Sequence, residues 1–112
     1  MMRESAHIVV DRNVTWQGEA ASEPYEVGWG KEAILFLQVL APAPHAEPAK
    51  VRVQISPDGI HWCDEGTTLD LPSSPGDVSH ARVAHFGGWL RLATSMKDGH
   101  SARVLVSLHL KA

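Results

Sequence analysis

The sequence predicts an all-β fold: a single antiparallel β-sandwich domain over residues 1–112, jelly-roll-like, with about eight strands. Three observations carry that expectation. Short runs of β-branched and large apolar residues alternate with turn formers at the spacing typical of sandwiches. Several runs alternate apolar and polar residues with period two. No stretch of eleven or more residues shows a convincing helical stripe.

Strands are expected near 7–10, 14–17, 24–27, 33–40, 50–56, 60–65, 78–86, 89–95 and 103–110. Asp11-Arg12-Asn13 breaks the first two apart, and Gly28-Trp29-Gly30 precedes the fourth. Segment 33–40 carries Ile34, Leu35, Phe36, Leu37, Val39 and Leu40, which would surround a helix on nearly all sides. A central strand buried on both faces explains them better. The Pro/Ala stretch 41–48 denies backbone donors and favours extended chain, so it reads as a crossover or surface loop.

The hairpin 51–62 is the clearest local signal. Val51, Val53 and Ile55 alternate with Arg52, Gln54 and Ser56. Pro57 suits the second position of a type I turn and Asp58 the third. Gly59 suits the left-handed position that closes a bulged hairpin. These three are the structural residues of the turn. Trp62 offers a large apolar body to the layer behind, and Trp62 and Trp89 are expected in the core. In the last strand Val104, Val106, Leu108 and Leu110 point one way. Arg103, Ser107, His109 and Lys111 point the other, with Leu105 the exception.

Composition narrows the function classes. At 112 residues and 12.2 kDa, folding removes about two-thirds of the chain's surface from water, enough for one core without staples. The net charge is −3 and the cations are scattered, so neither nucleic acid nor an anionic membrane is an expected partner. The only cysteine, Cys63, has no partner for an internal disulfide. The first ten residues hold only three consecutive strongly apolar side chains, too few for a signal peptide. A cytoplasmic or virion-associated location is therefore expected.

Chemistry-bearing constellations are sparse. Seven histidines invite a metal site, but no Cys-x-x-Cys or His-Glu-x-x-His spacing occurs. His61 and Cys63 share a strand face, but the acidic Asp64 and Glu65 beside them are the opposite of the positive surroundings a catalytic thiol needs. Neither a nucleophile elbow nor a phosphate loop is encoded. No catalytic residue, metal or cofactor is expected, and the chain does not read as an enzyme. Trp29, set between two glycines in a turn, is the leading candidate for contact with a ligand or partner. Trp16 and Tyr25 complete that set.

Two resemblances follow from these residues. Val53-Gln-Ile-Ser-Pro-Asp-Gly-Ile-His-Trp62, followed by Val83-Ala-His-Phe-Gly-Gly-Trp-Leu-Arg-Leu92, resembles the second half of discoidin-like (galactose-binding-like) jelly rolls. With Ser22-Glu-Pro-Tyr-Glu-Val27 before an apolar strand, the chain also resembles small β-sandwich proteins encoded in phage and prophage structural regions. The likeness spans roughly residues 22–110. The second resemblance implies a non-catalytic structural module that self-associates, as a homo-oligomer or part of a larger virion- or capsid-associated assembly. The first implies the alternative, a carbohydrate-binding module that takes a glycan.

Overall fold

The computed structural model describes residues 5–41, 50–72, 74–97 and 100–112. Among them run nine strands and no helix: β1 (Ser5–Gln17), β2 (Glu19–Ala21), β3 (Tyr25–Glu26), β4 (Glu32–Ala41), β5 (Lys50–Ser56), β6 (Cys63–Asp70), β7 (Val78–Ala84), β8 (Trp89–Ser95) and β9 (Ser101–Lys111). With no helix there, none is long and apolar enough to cross a membrane.

Two antiparallel sheets form. Sheet A has the order β1-β9-β4-β7, and sheet B the order β2-β8-β5-β6, with β3 also on β8. The pairings are nested. First strand meets last, β2 and β3 together meet β8, β4 meets β7, and β5 meets β6. A ribbon of nested antiparallel pairs folded across two layers is a jelly roll, as the sequence predicts. The strands at 50–56 and 89–95 match their expected bounds residue for residue.

The expected break at Asp11-Arg12-Asn13 is instead a pair of irregularities inside one long edge strand. Register shifts fall between Val9 and Asp11 and between Asp11 and Val14. Asn13 adopts φ 58°, a left-handed conformation that Asn tolerates better than most residues. Bulges of this kind twist and blunt an edge that would otherwise invite further strand pairing.

The core lies between the sheets and is mainly aliphatic. Val104, Val106, Leu108 and Leu110 of β9 face Leu35, Leu37 and Val39 of β4 on the same inner face. Val51, Val53, Leu90 and Leu92 come from sheet B. Each such side chain contributes roughly 1.5–3 kcal/mol of burial.

Three expectations need correction. Trp62 and Trp89 are not in the core: both are half-buried, on the outer side of sheet B. β4 is an inner strand of its sheet but is covered on one face only. Its outward Ile34, Phe36 and Gln38 are half-buried, and Leu40 is exposed. The hairpin after β5 is not tight. β6 starts at Cys63, not at residue 60, and Ile60 stands 75% exposed. The Pro/Ala stretch lies largely outside the described residues, at 42–49.

Candidate functional site

The loop from Ser56 to Trp62 is built around one carboxylate. Asp58 Oδ1 accepts the Ile60 and His61 N–H groups, each at 2.8 Å, and the Ser56 hydroxyl at 3.0 Å. Its Oδ2 lies 2.7 Å from His61 Nδ1. Ser56 Oγ in turn accepts N–H groups from Asp58 (3.2 Å) and Gly59 (2.8 Å). The bonds from His61, then that from Ile60, hold the Asp58 carboxyl well below the usual carboxylate range. Gly59 takes φ +79°, the left-handed conformation expected for it. Pro57 leads into the turn, and Gly59 lies against the indole of Trp89. Every carboxylate bond here is internal to the loop, so its chemistry shapes the backbone.

Below that loop, the outer face of sheet B carries a connected polar row. The Arg91 guanidinium sits 4.3 Å from the Trp62 ring centroid, within cation–π range. Arg91 Nε donates to Gln54 Oε1 at 2.8 Å, and Gln54 Nε2 donates to Asp64 Oδ1 at 3.0 Å. Burial first, then the nearby charge of Arg52, pushes the Arg91 pKa down. Neither arginine stood out in the sequence. The only signal was the period-two placement of Arg52 and Arg91 opposite buried Val and Leu.

The contact residues expected from sequence separate. Trp29 is 44% exposed. It projects from a turn tied down by Gly30 N–H to Val27 O (2.9 Å) and Lys31 N–H to Lys111 O (2.8 Å). Tyr25 pairs opposite Leu90 on the inner side of sheet B and packs half-buried against the core. Trp16 is 2% exposed, opposite Ala102 inside the sandwich. It is a core residue and offers no surface for a ligand. The structure does not bring the three together on one face.

The outer face of sheet A was not singled out from sequence. Across the strands, His7, His109, Ile34 and Arg82 form one row, and Val9, Ser107, Phe36 and His80 the next. Leu105, Gln38 and Val78 follow. The His7 and His109 rings lie 6.1 Å apart, and those of Phe36 and His80 6.5 Å. Val9 (38%), Leu40 (40%) and Val78 (49%) are exposed. A shallow depression of about 290 Å³ opens at one end, lined by Glu32, Ile34, Arg82, Ala84, His109 and Lys111. Leu105, the odd residue of the last strand, belongs to this apolar patch. Among the described residues no group of three His, Cys, Asp or Glu side chains is placed to hold a metal ion.

Two buried polar groups hold the β2–β3 segment, one within sheet B and one across to sheet A. Ser22, in the gap between β2 and β3, donates its N–H to Leu92 O (2.8 Å) and accepts the Leu92 N–H on its hydroxyl (2.9 Å). The hydroxyl thus replaces a strand carbonyl where the edge departs from the ladder. Asp11, at the β1 irregularity, accepts the Glu23 N–H at 3.3 Å. Desolvation raises its pKa despite that bond.

No family model matches the chain, and no curated protein matches it. Solved structures do. The SPBc2 prophage-derived protein YomS is similar, with TM-score 0.61 and 8% identity over 100% of this chain and 96% of that one. So is a structure of Bacillus endospore appendages, described as a family of disulfide-linked pili. Its TM-score is 0.50 with 11% identity, over 96% of this chain and 87% of that one. At such identities the similarity is one of fold.

Proposed function

We propose that this chain is a non-catalytic structural module that assembles with copies of itself through the outer face of sheet A. The resulting homo-oligomer, or larger virion- or capsid-type assembly, is its functional form. One observation carries this reading: Val9, Ile34, Phe36, Val78 and Leu105 share the outer face of sheet A, half-buried or exposed, with no layer over them among the described residues. Apolar side chains gathered on one uncovered face of a sheet mark a site of protein association. The layout of this face, apolar side chains interspersed with Ser107 and Gln38 and with Glu32, Lys111, Arg82 and Arg103 towards the margins, suits a protein–protein interface. β4 carries the composition of a strand covered on both sides, and a second copy would supply the missing layer. The fold neighbours, one prophage-derived and one pilus-forming, support the same reading.

Light scattering over a concentration series tests it. The chain is expected to form a defined oligomer that Phe36→Glu and Val78→Glu convert to monomer without changing its circular dichroism. A strict monomer at high concentration, with no particle to join, rejects the reading.

Glycan binding is the second reading, favoured by the exposed Trp29 ring on its fixed turn. It requires a sugar-induced change in tryptophan emission that Trp29→Ala abolishes.

A further inference from the structure

The outer face of sheet B holds two arginines side by side, and among the described residues neither has a carboxylate within ion-pair distance. The register sets Arg52 opposite Ala93 and Arg91 opposite Gln54. They are therefore diagonal cross-strand neighbours, roughly 7–8 Å apart at the backbone. Both stand on inner strands of the sheet, β5 and β8, and both are half-buried. Lys50, on the same face, pairs with Asp70 at 2.7 Å, whereas neither arginine forms an ion pair among the described residues. Asp64, the carboxylate of the Arg91 row, accepts from Gln54 instead.

Arg91 is also held in place. The Trp62 ring lies against its guanidinium, and Gln54 takes its Nε–H. Its two terminal nitrogens make no hydrogen bond among the described residues. They form the donor edge that guanidinium uses to grip a planar or tetrahedral anion through two parallel bonds. Two adjacent, partly desolvated cations repel each other, and a bound anion relieves both that repulsion and the unfilled donors.

We propose that Arg52 and Arg91 form a binding site for an oxyanion, a carboxylate or sulfate group, with Trp62 at its border. The site lies on the opposite layer from the assembly face and is independent of it. A free anion fills it through the guanidiniums alone. An anion carried on a sugar ring also meets the Trp62 indole, a surface suited to stacking.

The test is titration of the full chain with sodium sulfate, glucuronate and glucose at constant ionic strength. Readouts are the Arg91 Nε–H resonance and tryptophan emission. Sulfate and glucuronate are expected to move both signals, and glucose neither. Arg52→Gln, which breaks no hydrogen bond or ion pair among the described residues, is expected to weaken both anions about tenfold. Glucuronate binding tighter than sulfate, with the difference lost in Trp62→Phe, assigns the site to ring-borne anions. Equal affinity assigns it to free ones. The proposal is overturned if glucose moves the same signals equally. It also falls if Arg52→Gln, with unchanged melting temperature, binds as the parent does, or if neither anion binds.

Discussion

Gly59 rests on the face of the Trp89 indole: a Cβ added at Gly59 would lie 3.2 Å from Trp89 Cε2 and 3.3 Å from Cδ2. That contact is tighter than van der Waals packing prefers, and the backbone there is left-handed at φ +79°. Gly59→Ala therefore meets two penalties, the left-handed conformation and the ring behind it. It is expected to destabilise the fold by about 1–3 kcal/mol, read as a lower urea midpoint. Trp89 emission should shift as the loop lifts. An unchanged midpoint would show that the loop repacks without resistance.

Asp58 makes the loop sensitive to acid. Its folded pKa lies below that of the unfolded chain, so its contribution is present above the ordinary carboxylate value of 3.8 and fades as pH falls below it. Asp58→Ala is expected to lower stability at pH 7 and to flatten its decline below pH 4. Denaturant titrations at several pH values check this.

Asp11 has the opposite sign. Desolvation raises its folded pKa above 3.8, so the folded state holds the proton more tightly and the ionised carboxylate opposes folding at higher pH. Asp11→Asn retains an oxygen for the Glu23 N–H and removes the charge. The variant is expected to be more stable than the parent at pH 7 and indistinguishable from it below the unfolded value. A loss at pH 7 would mean that the carboxylate has a partner worth more than its desolvation.

Ser22→Ala leaves the Leu92 N–H buried without an acceptor. An orphaned buried donor costs about 1–3 kcal/mol, and the loss should appear in the melting temperature. Ser22→Thr, which retains the hydroxyl, should recover most of it. Amide exchange at Leu92 provides a direct readout, expected to accelerate in the alanine variant alone.

Some of this fold was legible in the sequence because one physical demand dominated. Val104, Val106, Leu108 and Leu110 have only one face to bury, and period two reports it directly. The Pro57 turn and the Gly87-Gly88 pair bracket β5 and β8, so their bounds came out correctly. β2 was missed because Glu19-Ala20-Ala21 has no β-branched or aromatic residue to mark a strand. The tryptophans were misplaced for a different reason. A large ring can be covered from outside the sandwich, as Arg91 covers Trp62 and the loop at Gly59 covers Trp89. Composition does not distinguish that from burial between layers.

The candidate sites were less legible still. Ile34 and Phe36 look the same in sequence whether a second layer lies over them or not. Only the register places them beside Val9, Leu105 and Val78. Arg52 and Arg91 are 39 positions apart, and nothing before the β5–β8 pairing joins them. Asp11 and Ser22 take their roles from partners distant in the chain, the N–H groups of Glu23 and of Leu92.

Ser5 pairs with Lys111, so the outermost ribbon of the nest cannot zip until Lys111 has been synthesised. The β5–β6 hairpin is the most local of the nested pairs and β1–β9 the least, so loop-closure entropy favours order spreading outward from the hairpin. Such non-local topologies mature in milliseconds to seconds rather than microseconds. Until then the same apolar strand flanks are bare to neighbouring nascent chains. Soluble yield is therefore expected to fall as expression level or temperature rises, even where final stability is unchanged.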